Sequence, residues 1–309
     1  MEWLFEPFSH QFMQRALAAC VLIGFLNGFL GAFVVLRRMA LMADSLSHSL
    51  LPGLALGVLI FKSLDPAGLF VGALVAALMV AVGAQVLSRS SRVKEDTALG
   101  ILYTVAFSSG VVLLSFVPVR VSLLHYLFGN VLGVSNQDLW MAFWVALIVL
   151  PLLVLAERPL QLLLFDPAVA RSQGIPTGLL NVLLVVALVL VMISSLQAVG
   201  VILLLGLLVS PAATMYLLCD SFSWMLWGGG LLGVIGSVIG LWLSYWIQVP
   251  SGACIVLTLG AIFCAALLAS PRYGLIRRWF QKRHLHEESL SRWRKKEGGE
   301  PVTGPVGPE

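Results

Sequence analysis

Charged side chains are scarce in this chain of 309 residues. Asp, Glu, Lys and Arg together make up 11% of it and apolar residues 59%, where an ordinary soluble domain carries about a quarter charged residues. A water-soluble, single-domain enzyme is thereby all but excluded. Paired cysteines are missing too: Cys20, Cys219, Cys254 and Cys264 lie in or beside apolar runs, with no CxxC and no histidine at ligand spacing. They read as small hydrophobes. No Gly-Lys dipeptide occurs anywhere, so the chain carries no P-loop. If ATP drives this protein, another subunit binds it. The run from Gly228 to Gly233 fits GxGxxG, yet it opens an apolar stretch with no preceding strand and no acidic residue at the required distance downstream. It is a helix-packing sequence. His286-Glu287 begins like a zinc-protease motif but lacks the second histidine four residues on, which disfavours an intramembrane metalloprotease. Nothing marks a nucleic-acid partner.

What the chain has instead is apolar length. About 180 apolar positions, at roughly 20 residues per crossing, supply eight or nine spans. Uninterrupted stretches place them near 15–36, 44–61, 67–88, 97–117, 139–156, 179–195, 199–218, 223–246 and 252–270. The polar break at Ser194, Ser195 and Gln197 makes one of its neighbours short or re-entrant in an eight-span alternative. Glycines at helical spacing (Gly24 with Gly28, Gly53 with Gly57, Gly229 with Gly233, Gly236 with Gly240) favour close helix packing in lipid. The expected fold is therefore an all-α polytopic membrane bundle.

Assigning alternate loops to opposite sides puts sixteen of the nineteen Lys and Arg residues on one side, leaving Arg15, Lys62 and Arg120 on the other. By the positive-inside rule the N-terminus is outside and the C-terminus cytoplasmic. The leader begins acidic and its apolar run is too long for a cleaved signal. Residues 1–270 read as a transmembrane domain. Residues 271–309 form a basic cytoplasmic extension, with Arg277, Arg278, Trp279, Lys282 and Arg283 at the membrane surface and a disordered Gly/Pro end. A regulatory or metal-sensing role for His284 and His286 is the alternative.

Ionisable groups inside spans are expensive and mark function by default. In the run from Arg37 to Gly53, Asp44 and His48 stand at i and i+4, on one helix face with Cβ atoms ~6 Å apart. A carboxylate and a neutral imidazole at that spacing can meet one divalent cation. Two ligands hold it weakly, which suits transport. Asp44 also suits a helix N-cap, with His48 a core residue. Glu95 and Asp96 enter the fourth span directly and read either as cap and dipole partners or as oxygen ligands beside the Asp/His face. Pro52 and Pro211 kink their spans and leave carbonyls that line a pathway or serve packing alone. Between the fifth and sixth spans, Asp166 as N-cap, Pro167 at the first helical position, Ala168 to Gln173 as two turns, Gly174 as the stop and Pro176 beyond spell a short helix. It is either a rigid contact for a soluble partner or a loop helix resting on the bilayer.

Six segments carry a family resemblance: RRMALMADSLSHSLLPGLALG, EDTALGILYT, YLFGNVLGVS, DPAVARSQGIP, QAVGVILLLGLLVSPAAT and VPSGACIVL. Together, in order, they resemble the permease subunits of bacterial ABC importers for manganese, zinc or iron. The resemblance implies a multi-pass protein of the bacterial inner membrane and a second permease copy or paralogue. It also implies cytoplasmic ATPase subunits and an extracytoplasmic metal-binding protein as partners. By the same token Asp44 and His48 belong to the metal path with Glu95 and Asp96 nearby. The segment holding Asp166, Pro167, Ala170, Arg171 and Gly174 faces the ATPase. No cofactor is permanently bound, and the cargo is Mn, Fe or Zn. Leu51-Pro52-Gly53 and the Glu95-Asp96 pair favour manganese or iron over zinc. The extension past Pro271 departs from the usual pattern. An ion-coupled secondary transporter is the alternative function, weakened by the lack of a repeat of the Asp44 region. A serine hydrolase built on Ser45 or Ser47 with His48 lacks plausible geometry.

Overall fold

A computed structural model describes residues 11–61, 66–116 and 131–270. Eleven α-helices follow one another among the described residues: α1 (Gln11–Leu36), α2 (Ala40–Phe61), α3 (Pro66–Ser90), α4 (Glu95–Leu114), α5 (Asn136–Leu155), α6 (Glu157–Phe165), α7 (Pro167–Ser172), α8 (Thr177–Val199), α9 (Val201–Leu218), α10 (Phe222–Ile247) and α11 (Ser251–Ala269). All but the short α6 and α7 are long and apolar enough to cross a bilayer, which gives nine candidate spans. At 1.5 Å per residue, even the 18 residues of α9 reach about 27 Å, close to the ~30 Å hydrocarbon thickness.

The break between the sixth and seventh spans falls at Gly200, not at the Ser194–Gln197 polar cluster. Gly200 takes φ +83, a left-handed conformation that glycine adopts without a Cβ penalty, and α9 resumes at the next residue. Ser194, Ser195 and Gln197 lie inside α8. The polar residues mark a helix interior because Ser194 satisfies its hydroxyl on the Val191 carbonyl. Ser195 accepts a hydrogen bond from Asn27 Nδ2 at 2.7 Å.

Glycine determines which helices touch. A Cβ on Gly24 would lie 2.9 Å from the Gly233 carbonyl oxygen, and one on Gly28 would run into the Gly229 backbone, so α1 and α10 meet backbone to backbone. Gly53 with Gly72 and Gly57 with Gly68 do the same for α2 and α3. In lipid, where apolar burial gives little drive between helices, such close approach is what holds a bundle together. α1 is the most enclosed span and α4 the least.

Helix ends fall where local chemistry puts them. Ser135 and Asp138 form a reciprocal capping box that starts α5 at Asn136. α1 stops at Leu36 through a C-terminal turn in which Arg38, at φ +59, precedes the Met39 N–H donating to the Val34 carbonyl. That turn delivers the chain straight into α2. Arg37 donates to Asn181 Oδ1, Ser223 to Glu157 Oε1 at 2.6 Å and Ser270 to the Leu217 carbonyl at 2.7 Å. These contacts gather the α1–α2, α5–α8, α9–α10 and C-terminal connections at one end, as alternation of nine spans requires. The extension 271–309 lies outside the described residues, as do Lys62 and Arg120.

Candidate functional site

α2 begins at Ala40, and the Ala43 N–H already donates to the Met39 carbonyl. Asp44 therefore sits a full turn inside the helix, which removes its reading as an N-cap. Its Oδ1 lies 3.8 Å from His48 Nε2, with the Asp44 side chain 49% exposed and that of His48 32%. This is too long for a hydrogen bond. Two ligand atoms sharing one ion at about 2.1 Å each stand about 3.0 Å apart at an octahedral right angle and about 3.4 Å at a tetrahedral angle, so side-chain movement of less than about 1 Å brings the pair to bridging distance.

The serines interleaved with the pair are turned back on the helix. Ser45 donates to the Leu41 carbonyl at 2.9 Å, Ser47 to Asp44 at 2.7 Å and Ser49 to Leu46 at 2.8 Å. None is poised as a nucleophile toward His48. Pro52, one turn beyond His48, has no N–H to offer the His48 carbonyl. Its ring seats on Gly110 of α4, where a Cβ would lie 2.7 Å from Pro52 N and 2.9 Å from its Cδ.

α4 supplies the opposing wall. The His48 ring lies 6.3 Å from that of Tyr103, tilted by 31°, and 5.8 Å from that of Phe107, nearly perpendicular at 85°. Glu95 and Asp96 form the first turn of α4 after the extended Lys94, which makes no side-chain cap. Their backbone lies about 10 Å along the helix from Tyr103. Their side chains fall outside the described residues. Among the described residues no group of three His, Cys, Asp or Glu side chains converges as a ready-made metal site.

The second candidate region is α6 and α7. Sequence reading gave only the second of these; α6 is an additional helix that buries Leu160 and Leu163. Asp166 caps α7, accepting from the Ala168 and Val169 N–H groups at 3.0 Å each, with Pro167 first in the helix. At the other end Gly174 takes φ +76. The Ile175 N–H reaches back to the Ala170 carbonyl and that of Gly174 to Arg171, a Schellman closure. Ala170 is buried while Asp166, Pro167, Val169 and Arg171 are exposed. The result is a rigid knuckle pinned by one small side chain.

Beside it, a cavity of about 180 Å³ opens among Leu36, Phe165, Tyr216, Cys219, Phe222 and Met225. Burial pushes the Cys219 thiol above its ordinary pKa, and its Sγ donates to the Met215 carbonyl at 3.0 Å. Sequence reasoning missed Tyr103, Phe107 and Asn27. The first two stand at i, i+4, facing the same histidine. Asn27, fully buried in α1, was visible as a lone amide in a long apolar run.

The profile of the ABC 3 transport family matches residues 9–270. Over 284 residues the chain is 40% identical to the manganese transport system membrane protein MntC of Halalkalibacterium halodurans, covering 92% of this chain and 96% of that one. It is 38% identical to the chelated iron transport system membrane protein YfeD of Yersinia pestis, covering 85% and 87% respectively. Among solved structures, PsaBC from Streptococcus pneumoniae in complex with Fab superposes with a TM-score of 0.79 at 33% identity, over 93% of this chain and 99% of that chain.

Proposed function

The chain belongs to the ABC 3 transport family, and from that membership we infer that it is the membrane-spanning permease subunit of an ATP-driven importer of divalent transition-metal ions, manganese or iron in preference to zinc. It is a multi-pass protein of the bacterial cytoplasmic membrane. Manganese and iron are the cargoes named for its relatives. The subunit has no nucleotide site of its own, in keeping with the missing P-loop. ATP hydrolysis falls to a cytoplasmic partner, and an extracytoplasmic protein delivers the ion. A second permease completes the path. With the basic loops inside, the N-terminus lies outside and the C-terminus in the cytoplasm.

The observation that carries the metal path is the Asp44–His48 pair: a carboxylate and an imidazole 3.8 Å apart, both partly exposed within a span. Such a pair is costly against lipid and useful against a cation. The carboxylate supplies one negative charge and the imidazole a neutral nitrogen. Two donors from this chain leave further coordination to water or to a second copy, and so allow release when the helices move. Glu95 and Asp96, at the mouth of α4, serve as acidic neighbours on the cytoplasmic side of that pair. The knuckle at Asp166, Pro167, Ala170, Arg171 and Gly174 is the rigid contact through which the ATPase moves the bundle. Its support is the double capping, which lets a six-residue helix act as one body.

Uptake of radioactive manganese by cells carrying Asp44→Asn or His48→Ala tests the path. Both variants are expected to lose uptake while reaching the membrane in wild-type amount. Normal uptake by both would remove these residues from the path. Competition with ferrous iron and zinc in the same assay ranks the ions.

A further inference from the structure

A histidine that binds a metal ordinarily donates its second ring N–H to a carboxylate, a carbonyl or water, and that bond fixes both tautomer and ring orientation. His48 has no such bond among the described residues. Around it stand the Asp44 carboxylate and two aromatic rings on α4, Tyr103 and Phe107. The two rings stand one helical turn apart and both lie against the imidazole, one inclined to it by 31° at 6.3 Å and the other by 85° at 5.8 Å. The perpendicular Phe107 contact is a favoured edge-to-face geometry, and the Tyr103 ring lies within the same contact range of about 4.5–7 Å.

We infer that Tyr103 and Phe107 clamp the His48 imidazole and act as positioning residues that keep its Nε2 directed at the Asp44 carboxylate. This deepens the reading of Asp44 and His48 as metal ligands and rests on it.

The clamp has a built-in register. Pro52 lies one turn beyond His48 on α2, and Gly110 lies three residues beyond Phe107 on α4. The proline ring seats where a Gly110 side chain would otherwise be. That contact fixes the height of α4 against α2, and hence which aromatic residues face the histidine. A ligand of a transport site must hold its direction while the ion arrives and leaves. In a site with only two donors on this chain, a freely turning imidazole would lose half of the coordination that the chain provides. Ring contacts restrain the imidazole sideways without consuming either nitrogen, so Nε2 stays available to the cation.

The test uses the full-length permease in lipid nanodiscs, with Mn²⁺ as probe. Free Mn²⁺ is followed by electron paramagnetic resonance, and ¹⁴N modulation of the bound-ion signal reports imidazole coordination. Phe107→Leu and Tyr103→Leu are expected to weaken Mn²⁺ binding by about threefold to tenfold each and to reduce the ¹⁴N modulation. Phe107→Tyr and Tyr103→Phe, which keep a ring, are expected to retain both. Elution as intact protein qualifies each variant, and if one leucine variant does not assemble, the other position decides. His48→Ala separates the two levels. If it binds Mn²⁺ as the wild type does, the ligand assignment fails and the clamp with it. If it loses affinity and modulation while both leucine variants keep wild-type values, the ligand assignment stands and the clamp is overturned.

Discussion

Replacing Gly110 with alanine puts a methyl carbon 2.7 Å from Pro52 N, 2.9 Å from its Cδ and 3.1 Å from the Leu51 carbonyl carbon. Ordinary contact begins near 3.4 Å, so α4 and α2 must part by about 0.7 Å at this level. None of the atoms met is the end of a flexible side chain, so the helices themselves have to move. Overpacking of this kind costs about 1–3 kcal/mol, against which alanine returns up to about 1 kcal/mol of helix propensity over glycine. The net expectation is a destabilisation of up to about 3 kcal/mol. Gly100 on the same helix is the matched control, because a Cβ there meets nothing within 4 Å. Gly100→Ala is therefore expected to be neutral or slightly stabilising. Thermal unfolding of the two purified variants in one detergent measures the difference, and manganese uptake measures its consequence for the α2–α4 contact. Equal melting temperatures for Gly110→Ala and Gly100→Ala would refute the reasoning, since the two changes are identical except for what the methyl meets.

Asp166→Ala removes the acceptor for two N–H groups of α7 and is expected to cost about 0.5–2 kcal/mol of helix stability. Asp166→Asn is expected to cost little. The measurement is the ratio of ATPase to permease recovered on purification, which falls for alanine only. At Cys219, burial raises the thiol pKa, so the reactive thiolate is rarer at neutral pH than in a free thiol and appears only as pH rises past the ordinary thiol range. With Cys20, Cys254 and Cys264 replaced by alanine, iodoacetamide labelling is expected to be slower than for a free thiol at pH 7 and to climb at a higher pH than a free thiol does. Free-thiol rates at pH 7 would contradict it.

The spans were legible because lipid imposes one rule that composition cannot hide. Each crossing must satisfy its backbone internally and be apolar over about twenty residues, and the nine expected stretches are the nine found. Boundaries were less legible. α2 starts four residues before the apolar run at Asp44 suggested, because its first turn is made by Ala40 to Ala43 following a tight turn at Arg38. The break at Gly200 was hidden behind the more polar Ser194–Gln197. A serine hydroxyl that bonds the preceding turn does not interrupt a helix, whereas a glycine with positive φ does. α7 was legible in full, since Asp, Pro and Gly each have a positional meaning there. The aromatic pair facing His48 could not be read from sequence. Tyr103 and Phe107 lie among other apolar residues of α4, and only the packing of α4 on α2 singles them out.

That packing leaves α4 the most open of the spans, with only 17% of its most apolar window buried. Its open residues mix Thr104, Ser108 and Ser109 with Ile101, Val105 and Val112, and Asp44 on the neighbouring α2 is partly exposed. A carboxylate within a span is costly against lipid, so Asp44 needs water or protein against it. α11 is open as well, but its exposed positions, such as Leu257, are apolar and suit lipid. A second permease seated on the α4 face would cover Asp44 with protein and bring a second set of donors toward the same ion. In a cysteine-free background, Ser108→Cys is then expected to cross-link two permeases with a short bis-maleimide in native membranes, giving a band of doubled mass, while Leu257→Cys is not. Cross-linking at Leu257 but not at Ser108 would place the partner on the wrong side of the bundle and leave the Asp44 face to water alone.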